Sequence, residues 1–155
     1  MGTELVKKPK ILEEYTNFQL KIRPSKIHRY GVFAMQRIPA NRKVIEYTGV
    51  RLNRKQAKAR GDGDYTYLFA LDAYWTLDGS VGGSGAEIIN HSCRPNLVSR
   101  IMRGHVLYMS LRTIKPGEEL TVDYNFDSDV RHFPCSCGAP DCGGAIGKTE
   151  KKTGK

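Results

Sequence analysis

Cys135, Cys137 and Cys142 read C-x-C-x4-C near the end of the chain. The one other cysteine, Cys93, lies far upstream within Ile89-Asn90-His91-Ser92-Cys93. Three thiolates at that spacing make an incomplete tetrahedral zinc site, and a distant fourth ligand completes it. Cys93 and His132 are rivals for that place. Cys135 and Cys137 stand too close along the chain to pair as a disulfide. If all four cysteines meet, the metal ties the C-terminal segment onto the stretch around Asn90 and His91, which becomes the centre of the molecule's chemistry.

The 155 residues suffice for one domain with its own core. No stretch is long and apolar enough to cross a membrane. Met1 to Lys10 contains no apolar run, so no secretory signal and a reducing intracellular setting are expected. The net charge of +9 suits a partner of nucleic acid or chromatin. Part of it lies in the ends, at Lys7, Lys8 and Lys10 and in the polar run Thr149 to Lys155, which reads as disordered. Arg51, Arg54, Lys55, Lys58 and Arg60 belong to the fold and are the better candidates for a phosphate-facing patch.

The elements that must position these residues are mainly strands. Phe18–Ile22 alternates apolar and polar and stops at Pro24. Gly31–Ala34 and Lys43–Tyr47 follow. Tyr65–Leu71 and Tyr74–Leu77 flank a tight turn at Asp72-Ala73. Leu97–Met102 and His105–Leu111 flank Arg103-Gly104, a hairpin signal. Glu119–Tyr124 follows the Pro116-Gly117 turn. One helix is predicted from Arg54 to Arg60, capped by Asn53 and ended by Gly61. Gly79 to Gly85 is a glycine-rich loop leading into Asn90-His91. Ile38-Pro to Glu46-Tyr47 and Ile114-Lys-Pro to Asp123-Tyr124 echo one another as two similar strand entries. The fold class is α+β and mostly β.

Asn90-His91-Ser92-Cys93, then Glu118-Glu-Leu-Thr-Val-Asp-Tyr124, then the late cysteines closely resemble the SET-domain family of protein lysine methyltransferases with its post-SET motif. The resemblance runs from about Gln19 to Gly144. His28-Arg-Tyr-Gly31 is similar to the family's early cofactor loop, and Val44 to Gly49 and Tyr67-Leu-Phe69 to its next two signature strands. It implies small curved sheets around a pseudoknot, with a C-terminal zinc-bound post-SET segment, an exception to unthreaded topology. The implied division is a flanking segment at 1–17, a SET domain at 18–128, a post-SET zinc segment at 129–146 and a basic disordered tail at 147–155. It also implies one closed structural zinc on Cys93, Cys135, Cys137 and Cys142.

The implied reaction moves a methyl group from S-adenosylmethionine to a lysine side chain, with a histone tail as the leading substrate. Only a neutral amine has the lone pair to attack, and free lysine has a pKa of about 10.4. A narrow apolar channel disfavours the ammonium, and tyrosines suit its walls. By resemblance Tyr124 is the catalytic tyrosine, with Tyr47 and Tyr67 as channel tyrosines. Tyr67 also lies along the cofactor, held with His28, Tyr30, Gly31, Asn90 and His91. Phe69 helps set the number of methyl groups, and the small Ser99 and Val122 leave room for more than one. His105 and His132 carry no signal beyond that of surface histidines, and Asp123 is expected to make structural hydrogen bonds.

Two departures stand out. Arg29 replaces the first glycine of the family's usual Gly-x-Gly, and Gly83-Ser84 with Glu87-Ile88 replaces its Gly-Asn and Arg-Phe. No cysteine-rich segment precedes the domain, so Ile11 to Phe18 is expected to support the first strand. The competing readings are a catalytically weak, zinc-stapled basic module that binds nucleic acid or chromatin, and a zinc-ribbon redox or scaffold protein. The second does not explain the tyrosines. The basic charge sits oddly with a basic histone tail, unless Glu46, Asp62, Asp64 and Asp72 make a negative groove or the 51–60 patch grips nucleosomal DNA beside the tail. The implied location is nuclear chromatin in a eukaryote, or the cytoplasm or a host nucleus for a bacterial protein.

Overall fold

A computed structural model describes residues 10–60 and 67–123, together with the strand pairing of 133–134 and 145–146. Among these residues the architecture is mostly β with one α-helix. Four small sheets form. β1 (Leu20–Pro24) and β2 (Tyr30–Ala34) make a hairpin. β3 (Lys43–Tyr47), β7 (Asn90–His91), β8 (Leu97–Met102), β9 (His105–Ser110) and β10 (Thr121–Val122) make a sheet of order β3-β9-β8-β10-β7. β4 (Val50–Leu52), β5 (Leu68–Ala70) and β6 (Thr76–Asp78) make a third, of order β4-β6-β5. β11 (Phe133–Pro134) pairs with β12 (Ala145–Ile146). The helix α1 (Arg54–Arg60) follows β4.

The core lies where these sheets meet. Val32, Ile38, Val44, Ile45, Val106, Ile114 and Leu120 are fully buried. The two echoing strand entries meet there, since Ile38 and Ile114 exchange backbone hydrogen bonds of 2.9 and 2.8 Å. Residues 11–18 are expected from sequence to support the first strand, but their backbone hydrogen bonds to the rest of the domain go to β3 and to the loop at Ser84. Leu12 N–H donates to the Ser84 carbonyl, Asn17 N–H to that of Val44, and Ile11 and Phe18 pack on the core.

Local chemistry explains the elements. Asn53 Oδ1 accepts from the Gln56 N–H and Gln56 Oε1 accepts from the Asn53 N–H, both at 2.9 Å, a reciprocal cap that starts α1 where predicted. Arg103 and Gly104 have φ of 50° and 78°, the backbone that a two-residue hairpin turn demands. Other ends differ from expectation. β1 is shifted to Leu20–Pro24, with Pro24 at the strand's last position, where a missing N–H is tolerated. β6 starts only at Thr76, because Asp72 Oδ1 accepts from the Tyr74 and Trp75 N–H groups and pulls both into the turn. β5 is three residues long, and β10 covers only Thr121–Val122. Tyr65, Tyr124 and Gly61 lie outside the described residues.

β10 is inserted between β7 and β8, which follow one another in the chain. It runs parallel to both, with Val122 opposite His91 on one side and Leu97 on the other. Two motifs far apart in sequence thereby become neighbours. The segment that enters Tyr124 lies beside Asn90-His91-Ser92, with the Ser92 N–H donating to the Val122 carbonyl at 3.1 Å.

Candidate active site

Asn90 is buried on β7 and is the hub of the first cluster. Its amide nitrogen lies 3.0 Å from the Tyr30 carbonyl, 3.2 Å from the His28 carbonyl, 3.2 Å from Ser25 Oγ and 3.4 Å from Glu119 Oε1. The side chain therefore ties the loop 25–30 to the five-stranded sheet. Ser25 Oγ donates to Glu119 Oε2 at 3.0 Å and accepts from the Ile27 N–H at 2.9 Å. Gly31 sits directly against this knot. A Cβ there would lie 2.0 Å from Glu119 Oε1 and 3.2 Å from Asn90 Nδ2, so only glycine fits without displacing the carboxylate.

Arg29 has a φ of 38°, the left-handed region that favours glycine. The backbone shape suited to a first glycine is thus kept with an arginine in its place, and the Ser25 N–H donates to the Arg29 carbonyl to close the loop. His28 and Tyr30 are exposed on this loop, while Gly31 is buried.

His91 is buried beside Asn90. Its Nδ1 lies 3.6 Å from Asp123 Oδ1 and its Nε2 3.5 Å from Cys93 Sγ. Burial holds its pKa below the ordinary histidine value, with the Asp123 carboxylate opposing, so the imidazole is neutral at physiological pH. Cys93 is half-buried. Cys135, Cys137, Cys142, His132 and the ring of Tyr124 lie outside the described residues. Among the described residues no group of metal-ligating side chains is assembled.

A second cluster is aromatic. Tyr47 is buried at the end of β3, with its ring centroid 5.2 Å from that of Phe69 and 6.1 Å from that of Tyr108, and the last two are 6.3 Å apart. Its hydroxyl donates to the Tyr67 carbonyl, which also accepts from the Gly79 N–H. Tyr67 itself is 38% exposed, so its ring meets solvent while its backbone is fixed. Ser99 stands opposite Tyr108 across the β8–β9 pair.

Sequence reasoning missed Glu119, Ser25, Asn96 and Tyr108. Glu119 lay inside a quoted motif, but its partners are 94 and 29 positions away. Tyr108 was visible only as one residue of an alternating strand. His105 does more than sit on the surface. Its Nδ1 is 2.8 Å from Glu46 Oε2. Glu87 is folded onto its own turn, where Oε1 accepts from the Gly85 N–H at 2.8 Å.

The fold thus brings a buried Asn-His pair, on a strand parallel to the segment that leads to Tyr124, against the loop that ends at Gly31. The SET domain family matches residues 29–125, more than half the chain. The chain belongs to the SET-domain family. It is 43% identical over 140 residues to a histone-lysine N-methyltransferase, H3 lysine-4 specific, of Schizosaccharomyces pombe, covering 83% of this chain and 15% of the relative. It is 35% identical over 157 residues to the histone H3-lysine(4) N-trimethyltransferase ATX1 of Arabidopsis thaliana, covering 94% and 15%. It is 36% identical over 129 residues to histone-lysine N-methyltransferase 2B of Homo sapiens, covering 76% and 5%. This SET chain therefore spans only a small part of the length of these relatives. Among solved structures, KRYPTONITE in complex with mCHG DNA and SAH superposes with a TM-score of 0.72 at 29% identity, covering 84% of this chain and 29% of that one.

Proposed function

We propose that this domain is a protein-lysine N-methyltransferase that takes its methyl group from S-adenosylmethionine and delivers it to a histone tail, in chromatin. The observation that carries this reading is the parallel pairing of Thr121-Val122 with Asn90-His91, which sets the entry to Tyr124 beside the Asn90–Gly31–Glu119 knot. The relatives that share most of this chain are named for histone-lysine methylation, which supports the substrate class.

S-adenosylmethionine supplies an electrophilic methyl group on a sulfonium. This chain's loop would suit the donor, because Asn90 holds the His28 and Tyr30 carbonyls in one arrangement next to Gly31. His28, Tyr30, Gly31, Tyr67, Asn90 and His91 hold the donor. Tyr47, Phe69 and Tyr108 supply a wall of rings that excludes water and favours the neutral amine. In this reading Tyr67 would help to orient the amine, and Tyr124 would supply the hydroxyl that accepts a hydrogen bond from it or donates one to it.

Cys93, Cys135, Cys137 and Cys142 hold a structural zinc in this reading. Four thiolates suit that ion, and the β11–β12 pair brackets the three late cysteines in sequence. Metal analysis is expected to find zinc that Cys93→Ser loses. Zinc retained by that variant would give the fourth place to His132.

Radiolabel transfer to a panel of histones tests the function, with Tyr124→Phe as the control. Wild-type protein is expected to label a histone, and the variant to lose at least a hundredfold in rate. Full activity without the hydroxyl would remove Tyr124 from its role. The competing reading, a binding module without catalysis, predicts no heat on titration with millimolar S-adenosylmethionine. The glycine-like backbone at Arg29 argues against it.

A further inference from the structure

Arg51, Arg54, Lys55, Lys58 and Arg60 fall within ten residues that contain no acid. Four of them are on α1, which buries none of its residues. Arg54 and Lys58 stand one turn apart, a like-charge pair that weakens a helix in isolation. A helix that neither fills a core nor balances its own charge is costly to keep unless something else meets it.

The structure sorts these cations. Arg60 is already used, because its guanidinium donates to the buried Asp78 carboxylate. Arg51 and Arg54 lie over exposed aromatic rings instead. Arg51 Cζ is 5.7 Å from the centroid of Trp75, and Arg54 Cζ is 5.4 Å from that of Tyr74. Arg54 Nε also donates to the Ala73 carbonyl at 2.6 Å. A guanidinium stacked on a ring keeps its plane fixed and its outer N–H groups pointing along that plane, a fork that matches phosphate. Lys55 and Lys58 are exposed on the same short helix.

We propose that Arg51, Arg54, Lys55 and Lys58, set on the floor of Trp75 and Tyr74, grip the phosphate backbone of duplex DNA. The rings stay exposed with one guanidinium over each, which gives them a cationic face and not the buried apolar pocket on which a protein partner's binding energy usually rests. Among the described residues no acid pairs with these four cations, a density of charge that asks for a dense polyanion, and duplex DNA carries one charge per about 1.7 Å of its axis. The position is also apt. β6 pairs with β5, which carries Phe69 of the aromatic cluster, so DNA held at α1 runs alongside the wall where a lysine would enter.

Fluorescence anisotropy of the full chain with a duplex of about 20 base pairs, across about 50 to 200 mM salt, tests this. Lys55→Ala/Lys58→Ala is expected to lower affinity at least tenfold at the low-salt end. It should also flatten the slope of log affinity against log salt by about 1.8, at about 0.9 per lost phosphate contact. Its thermal midpoint should stay at the wild-type value. Arg51→Ala/Trp75→Ala should weaken binding in the same way without depending on the helix. Wild-type affinity and slope in both variants would overturn the proposal and assign the binding to the basic chain ends. Displacement of the duplex by polyglutamate of equal charge at equal concentration would overturn it in favour of an acidic protein surface.

Discussion

The ledge formed by β7 and β10 and the small sheet formed by β4, β5 and β6 solve opposite problems. On the ledge, Asn90, His91, Ser92, Asn96 and Thr121 are all buried, and among the described residues no buried polar side-chain atom lacks a partner. On the small sheet, Tyr74, Trp75 and the cations of α1 face solvent. A satisfied buried network fixes positions at high cost if any member is lost. An exposed charged face keeps its freedom and costs little to alter. The difference separates a buried polar network with fixed positions from an exposed charged face.

The sharpest way to break the ledge is Gly31→Ala. The new methyl group would drive the Glu119 carboxylate off Ser25 and Asn90 together. Overpacking of this kind costs about 1–3 kcal/mol of stability. Methyl transfer should fall as well, by about a hundredfold, because loop 25–30 loses its anchor. Calorimetric affinity for S-adenosylmethionine checks it, and unchanged affinity would show that the knot does not shape the donor site.

Asn96→Ala should cost about 3 kcal/mol without touching the donor loop directly. Asn96 Nδ2 donates to the Glu119 carbonyl at 2.9 Å, and its Oδ1 accepts from the Thr121 N–H at 2.8 Å. Removing the amide strands the buried Thr121 N–H and the partly buried Glu119 carbonyl, and a buried group left unsatisfied costs about 1–3 kcal/mol. Chemical denaturation measures the loss. A change below about 1 kcal/mol would mean that β10 is held mainly by its strand partners.

On the small sheet, Arg60→Ala should cost less, about 1–2 kcal/mol, since the arginine is half exposed. Burial pushes the Asp78 carboxyl up. The hydrogen bonds from Ser80 and Arg60 together outweigh that and hold it below the ordinary value. A depressed carboxylate stabilises the fold above its unfolded pKa and ceases to do so as pH falls through the folded one. The variant's deficit should therefore shrink on acidification below the ordinary carboxylate range. Denaturation midpoints measured at neutral and acidic pH follow it, and a deficit independent of pH would remove the ion pair from the account.

The same contrast governs what was legible in the sequence. The β8–β9 hairpin and α1 were readable because alternation, a two-residue turn and a cap are local signals. A strand at 119–124 is legible from the Pro116-Gly117 turn, but the parallel pairing of β10 with the two-residue β7 joins residues about thirty positions apart, and pattern alone is silent on it. Resemblance to a family singles out Asn90, His91 and Tyr124, whereas nothing in the same motif singles out Glu119, which holds the loop. In sequence Trp75 is one residue of the expected strand Tyr74–Leu77. Its role as a floor for Arg51 depends on β4 and β6 being neighbours, which no local signal announced.

The smallest effect should have the opposite sign. Glu87 stands where the family commonly shows arginine, on the turn that leads from the glycine-rich loop into Asn90. Burial raises its pKa above the ordinary value, against hydrogen bonds from its own N–H and that of Gly85. A raised carboxyl contributes fully to stability below its unfolded pKa, and that contribution is lost as pH rises through the folded value. At neutral pH the protein therefore holds a half-buried charge at a cost. Glu87→Gln keeps an oxygen for the Gly85 N–H and removes the charge, so it should stabilise the fold by about 1 kcal/mol at pH 7. The gain should fade as the medium is acidified through the carboxylate range. Thermal midpoints of both proteins at pH 7 and pH 4 provide the measurement. A variant that is no more stable at pH 7 would show that the ledge's turn tolerates its charge as easily as the exposed face tolerates the cations of α1.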